Sequence, residues 1–171
     1  MTVRAGDCVV SHPRWSDEET VIFITEHTKM STVGLQLNRR SEHTFESLGI
    51  PGLMTDTVFE GGDANPGALI MLHTTEWYSS NTMPINEKWS ISSDHHMLEK
   101  IADGNMPIDF RCCMGISYWQ PNELDSIVKD PKSPWLVVKQ PGPELVMSNP
   151  EDQWANAIKM LSSNIWDEFF V

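Results

Sequence analysis

The sequence has few of the residues that build covalent or metal-bound frameworks. Only three cysteines, Cys8, Cys112 and Cys113, occur among 171 residues. The number is odd and no C-x-x-C spacing occurs, so neither a disulfide framework nor a zinc site is indicated. Cys112 and Cys113 fall on a predicted strand, where successive side chains point to opposite faces, so they cannot easily share a metal. We expect no metal and no cofactor.

Basic residues and long apolar runs are also scarce. Twelve Lys and Arg stand against 24 Asp and Glu, a formal charge of −12. This balance disfavours direct nucleic-acid binding and binding to anionic membranes. Arg39 and Arg40 are adjacent, but two arginines fall short of a basic cluster and are typical of a turn. No signal peptide and no apolar run near 18 residues occur, so we expect a cytoplasmic chain without membrane contact.

Sequence motifs of catalysis and nucleotide binding are missing. Gly61 and Gly67 are spaced roughly as in a P-loop, but Ala68-Leu69 stand where Lys and Ser or Thr are needed. The G-x-G-x-x-G spacing of dinucleotide-binding folds is not met, and neither G-x-S-x-G nor H-E-x-x-H occurs. We therefore predict no catalytic residues from motifs.

The remaining composition is that of a globular protein. Hydrophobic residues make up 40% of the chain, with seven Trp and six Phe as large core or interface anchors. The length fits one domain over residues 1–171. The patterns predict strands over residues 7–11, 20–26, 32–38, 58–73 (two strands around a turn), 89–92, 108–117 and 135–139. They predict helices over residues 43–48 and 94–103, a helix starting near Pro121 and another at Pro150. Mixed strands and helices in this order indicate an α+β domain.

The stretch from Val58 to His73 is the predicted centre of the fold. It has the pattern of a strand, a glycine-rich turn and a second strand, which predicts a hairpin. Gly61 and Gly62 permit unusual backbone angles and allow another segment or a ligand to come close. We expect any functional site to lie beside this stretch.

Histidines and carboxylates at strand ends give a candidate site. Glu26-His27 and His73 each end an apolar strand, so the two imidazoles could converge into a metal or general-base site. Alternatively, each imidazole bonds a turn carbonyl and fixes a loop. Trp119 and Glu123 could form an aromatic and acidic lip, although a Trp at a strand end is often a core residue.

Several segments in order give a family resemblance. They are Val21–His27, Val33–Asn38, Val58–Gly62 with Leu72-His73, Ser92–Asp94, Gly115–Asp125 and Trp135. From about Gly6 to about Leu161 the chain resembles the AlgH/YqgE family. The resemblance implies an α+β fold with a mixed, branched β-sheet that includes a small barrel and is flanked by helices. Family members are often described as transcriptional regulators, without an established biochemical function, catalytic residue set or helix-turn-helix.

The sequence departs from the family pattern at some positions. Asp63 follows the Gly-Gly pair where Pro is usual, and Arg39-Arg40 replace Lys-Pro. Glu123 and Asp125 replace the usual Gln and Glu after Trp119. If the groove of the family binds a ligand, these departures mean that the identity of that ligand does not carry over to this chain.

Two functions follow as expectations. The first is a non-enzymatic regulatory or adaptor protein that binds another protein and acts on transcription indirectly. Its aromatic end, with Trp166, Phe169 and Phe170, either docks on a partner or packs on the core. The second is a small-molecule or metal-binding enzyme with a site near Gly61, Gly62, His27 and His73. The predicted ligand or partner groove comprises Glu26, His27, Asn38, Gly61, Gly62, His73, Trp119 and Glu123.

Overall fold

A computed structural model describes residues 2–50 and 57–170, with residues 163–170 as backbone only. The described strands are β1 (Cys8–Ser11), β2 (Val21–His27), β3 (Thr32–Gln36), β4 (Arg40–Thr44), β5 (Thr57–Glu60), β6 (Ala64–Thr74), β7 (Met83–Pro84), β8 (Trp89–Ser92), β9 (Phe110–Trp119) and β10 (Trp135–Val138). The described helices are α1 (His95–Ala102), α2 (Glu123–Lys129), α3 (Pro143–Val146) and α4 (Pro150–Phe170). None of these helices is both long enough and apolar enough to cross a membrane. The side chains of Trp166, Phe169 and Phe170 lie outside the described residues.

The strands form one curled and branched sheet. Its main path runs β10-β1-β2-β3-β9-β6-β8-β7, and β5 branches from β9 to carry β4. Nearly all neighbours are antiparallel, whereas β5 and β9 are parallel. The predicted α+β class, with a mixed and branched sheet flanked by helices, is confirmed, and the part predicted as a small barrel is a curled half-barrel.

The sheet is the central layer between helices, because its buried strands face apolar clusters on both sides. Val21 to Thr25 of β2 are all buried, as their β-branched and aromatic pattern predicts. Phe23 packs in the cluster that contains Leu145 and Ala157 of α3 and α4. Ile22 and Ile24 point the other way, into the cluster with Leu124 of α2. Met97 and Ile101 of α1 close a third cluster on β6 and β9.

Strand β9 pairs with three strands, and this changes the predicted hairpin. Its residues Cys113 and Met114 pair with β5 on one edge and with β6 on the other. Because a strand has only two edges, β5 and β6 lie on opposite sides of β9. The predicted β5–β6 hairpin is therefore wrong: the connection 61–63 crosses over β9.

Glycines on both segments make this crossing possible. A Cβ atom at Gly61 would overlap the carbonyl oxygen of Gly115, and one at Gly115 would overlap the carbonyl oxygen of Gly62. Gly115 also has φ +78°, in the left-handed region that favours glycine. The predicted close approach to the Gly-Gly backbone is confirmed, and the approaching segment is β9.

The predicted helix at 43–48 is wrong, since Arg40–Thr44 form strand β4. Its Ser41 hydroxyl donates to the carbonyl of Val58, which ties the strand to β5. Thr44 and Ser47 then bond each other's backbone N–H groups in a turn, at 2.9 and 3.2 Å. Local hydroxyl bonds of this kind compete with helix formation.

Two helix starts also differ from prediction. Helix α1 begins at His95 and not at the predicted residue 94, because Asp94 is its cap and accepts through Oδ1 from the backbone N–H of Met97 at 2.8 Å. Pro143 begins the short helix α3, which is not among the predicted helices. Proline suits the first helical turn, and burial of Leu145 and Val146 stabilises this short helix.

His73 is a core residue. Its side chain is fully buried and lies edge-on to Trp77, with ring centroids 5.0 Å apart. Nδ1 donates to the carbonyl of Thr74 at 2.8 Å, and Nε2 accepts from the hydroxyl of Ser92 at 2.8 Å. Burial lowers the pKa of His73 below its ordinary value of 6.5, despite the Thr74 bond.

The close crossing predicts how much alanine lowers the unfolding free energy at three different glycines. Gly115→Ala adds a methyl group that overlaps backbone at φ +78°, whereas Gly104→Ala meets open space at φ +79°. Gly67→Ala also meets open space, and its φ is not in the left-handed region. We expect Gly104→Ala to cost about 1 kcal/mol of unfolding free energy, Gly115→Ala at least about 2 kcal/mol more, and Gly67→Ala little. Urea unfolding measures all three, and equal losses at Gly115 and Gly104 would contradict the close crossing.

His73 predicts a pH dependence of stability. The unfolded chain takes up a proton near pH 6.5, while buried His73 resists it to lower pH. The stabilisation from neutral His73 is therefore complete above pH 6.5. It is lost as the pH falls from there through the lowered pKa of the folded state. We expect the difference in unfolding free energy between pH 7.5 and pH 5.5 to shrink in His73→Gln. The exposed His95→Gln is the control, and an unchanged difference in His73→Gln would refute this assignment.

Candidate functional site

An open groove of about 530 Å³ lies beside the crossing. Its walls come from β2, β3 and the end of β9 on one side and from the crossing segment on the other. The lining residues are Ile22, Gln36, Arg39, Glu60, Gly62, Asp63, Ala64, Ile116, Ser117, Tyr118 and Trp119. The groove exists because the crossing segment passes over the sheet.

The apolar part of the groove is held from behind by the core. Ile22 and Trp119 are 5% and 8% exposed, and both belong to the buried cluster beneath α2. Trp119 meets Trp135 edge-on, with ring centroids 6.4 Å apart. Tyr118 differs, because half of its side chain is exposed. The groove thus offers a rigid apolar floor and one free aromatic ring.

Hydrogen bonds fix the crossing segment against the floor. The carbonyl of Gly61 accepts from the hydroxyl of Ser117 and from the backbone N–H of Gln36, each at 2.9 Å. The N–H of Gly61 donates to the carbonyl of Met114 at 2.8 Å. Gly61 therefore links β3 to β9, and the groove wall is set by backbone rather than by mobile side chains.

Charged groups lie along the rim. Arg39 Nε and Glu60 Oε2 are 2.8 Å apart, and both side chains are largely exposed. Asp63, two residues beyond the Gly61 crossing, forms no ion pair with any described residue. The rim therefore carries one paired and one unpaired carboxylate.

A second cavity of about 370 Å³ continues the first. The two share Arg39, Glu60, Gly62 and Asp63. The further lining residues are Ser41, His43, Pro66 and Met114. The Arg39–Glu60 ion pair thus stands where the two cavities meet.

His27 lies in a hydroxyl, imidazole and carboxylate arrangement. Its Nδ1 is 2.7 Å from Thr32 Oγ1, and its Nε2 is 2.9 Å from Asp125 Oδ2. Asp125 Oδ1 also accepts from the backbone N–H of Val3 at 3.1 Å. A nucleophilic relay needs a hydroxyl that substrate can reach, but Thr32 is 1% exposed. The arrangement instead joins β2 and β3 to α2 and the N-terminal segment.

The two histidines do not converge. His73 pairs with Phe110 at the start of β9, while Thr32, the partner of His27, pairs with Trp119 at its end. At about 3.3 Å per residue, these positions are separated by about 30 Å of strand. One of the two alternatives, convergence of His27 and His73 into one site near Gly61 and Gly62, is therefore wrong. Among the side chains of residues 2–50 and 57–162, no group of three His, Cys, Asp or Glu could hold a metal.

The predicted groove residues fall in different places. Gly62 and Trp119 line the groove, and Gly61 forms the adjoining crossing. Asn38 is structural: its side chain accepts from Val21 N–H at 3.1 Å and donates to the Glu19 carbonyl at 2.7 Å. Outside the lining, Glu26 is exposed, and Glu123 accepts from the N–H of Gln120 at 3.2 Å.

Sequence reasoning missed most of the rim. The sequence predicts Arg39 to be an ordinary turn residue, and Asp63 stands out only as a departure from the family pattern. Ser117 is the last residue of a predicted strand and Tyr118 follows it, and the sequence indicates no role for either. Glu60 and Asp63 flank Gly61-Gly62 in the sequence, and this pattern indicates a charged rim. Carboxylates beside a close backbone crossing must point outward.

Comparisons with known proteins agree on one family. Residues 8–166 match the AlgH-like family. A UPF0301 protein of Marinomonas sp. (strain MWYL1) is 34% identical over 140 residues, covering 75% of this chain and 73% of the relative. A UPF0301 protein of Shewanella frigidimarina is 29% identical over 161 residues, covering 87% and 84%.

Two solved structures share the fold. The solution structure of the AlgH protein from Pseudomonas aeruginosa has a TM-score of 0.75 at 20% identity and covers 94% of this chain and 90% of that one. The crystal structure of a protein from Corynebacterium diphtheriae has a TM-score of 0.73 at 17% identity and covers 94% and 88%. With the match over residues 8–166, these findings show that the chain belongs to the AlgH-like family.

Proposed function

We propose that this protein is a non-enzymatic adaptor that binds a protein partner along the groove beside the Gly61-Gly62 crossing. The observation that carries the proposal is the groove itself: an apolar floor, an exposed aromatic ring and a charged rim, open along its length. Protein interfaces have this anatomy, with an apolar centre, enriched aromatics and a polar rim.

The groups that could perform chemistry lie elsewhere. The hydroxyl of Thr32 is buried, His73 is within the core, and the two histidines are at opposite ends of β9. An enzyme site near Gly61, Gly62, His27 and His73 is therefore not assembled. Recognition is the activity that the groove residues support.

The regulatory part of the proposal concerns how binding acts. A chain of charge −12 is repelled by nucleic-acid phosphates, so an effect on transcription would run through the protein partner. We propose that this interaction takes place in the cytoplasm.

Photo-crosslinking tests whether the groove contacts a partner. We expect a photoreactive phenylalanine at Tyr118 to give adducts with a defined protein in cells, because this ring is half exposed in the groove. The control is the same substitution at Ile108, which is 79% exposed and lies outside the groove. Matching adduct patterns at the two positions would contradict the proposal.

A groove-filling pair separates binding from folding. Ala64→Trp places a large side chain in the groove lining, whereas Gly67→Trp places one on the same strand where space is open. We expect only Ala64→Trp to remove the Tyr118 adducts, with both variants folded by circular dichroism. Adducts that persist in Ala64→Trp would exclude the groove as the contact surface.

A further inference from the structure

Unbalanced charge on the groove rim indicates the chemistry of the occupant. Arg39, Glu60 and Asp63 together carry one positive and two negative charges. The cation of Arg39 already contacts Glu60 at 2.8 Å, which leaves Asp63 without a partner among the described residues. The protein as a whole also carries a charge of −12, so its field attracts cations.

The shape of the groove favours a chain over a small molecule. Ligand pockets usually enclose most of a small molecule's surface, but this groove is open to solvent and continues past the ion pair into the second cavity. An extended segment can lie on such a surface and leave at either end. Ile116 and the small exposed parts of Ile22 and Trp119 provide apolar contacts for its side chains.

The aromatic ring on the rim distinguishes between cationic side chains. Tyr118 and Asp63 line the same cavity, and Tyr118 is half exposed. A guanidinium group stacks on an aromatic face and bonds a carboxylate through two N–H groups, whereas an ammonium group is a strongly hydrated point charge. Arginine therefore fits this combination better than lysine.

We infer that the groove binds an extended peptide segment of the partner in which an arginine, next to an aliphatic or aromatic residue, lies between Asp63 and Tyr118. The inference rests on the proposed function and names the class of segment that the groove takes. The arginine pairs with the unpaired carboxylate and stacks on the ring, and its apolar neighbour contacts the floor. Arg39 competes with the incoming arginine for Glu60.

This competition predicts that substitutions on the rim change the affinity for the peptide in opposite directions. Asp63→Asn and Glu60→Gln remove carboxylates, so each should weaken binding by about three- to tenfold. Arg39→Gln removes the competing cation and should tighten binding by about two- to fivefold. A role for these exposed residues in folding alone would not produce a gain in affinity.

The test uses the full chain and a displayed library of random 12-residue peptides. Peptides are selected on the wild-type protein and counter-selected on Ala64→Trp. The affinity of the best peptide is then measured by fluorescence anisotropy at two salt concentrations. Glu99→Gln on α1 is the matched control, because Glu99 is exposed and lies outside the groove.

We expect enrichment of arginine beside an apolar residue, affinity that falls with salt, the signs given above and no effect of Glu99→Gln. Selection of acidic or uncharged peptides that still discriminate against Ala64→Trp would overturn this inference and leave the proposed function standing. Displacement of the peptide by free spermidine at similar affinity would assign the site to a small polyamine and also overturn it. Peptides that bind wild type and Ala64→Trp alike would contradict both proposals.

Discussion

The close passage of the 61–63 segment over β9 is the constraint on which the rest of the structure depends. Residues Cys113 and Met114 pair with β5 on one edge and β6 on the other, so the chain must cross β9 to connect the two. Only a backbone without Cβ atoms at Gly61 and Gly115 can make that passage. The branch of the sheet and the groove both follow, because a segment lying over a sheet leaves a trough beside it.

The buried side chains of the groove floor contribute far more to folding stability than the ion pair on the rim does, and this difference suits recognition. Ile22 and Trp119 are almost completely buried beneath α2, and burial of such side chains stabilises the fold by about 1.5–3 kcal/mol each. The exposed Arg39–Glu60 pair contributes less than about 1 kcal/mol. A ligand can therefore exchange partners with the rim charges at little cost while the floor keeps its shape.

The sequence predicted where most strands lie along the chain, but not which strand the 61–63 segment crosses. The β-branched run of β2 and the apolar pattern of β10 were enough to place strands. The Gly61-Gly62 pair correctly predicted a close approach, yet a strand, a glycine turn and a strand look alike whether they form a hairpin or cross a third strand. The deciding residue, Gly115, lies more than 50 positions later. Asp125, the partner of His27, is 98 positions away and no local pattern indicated it.

The site was predicted only in part, because the residues chosen for their possible chemistry are hydrogen-bonded or buried within the fold. His27 is bonded on both ring nitrogens, and His73 is buried. Burial raises the pKa of Cys113 to about 12, so its thiol is not a ready nucleophile. The residues left at the groove, Asp63 and Tyr118 among them, have an exposed charge or ring but no proton acceptor held against a reachable hydroxyl. Such groups suit recognition of a partner, so the proposed binding function rests on the same geometry that separates the two histidines.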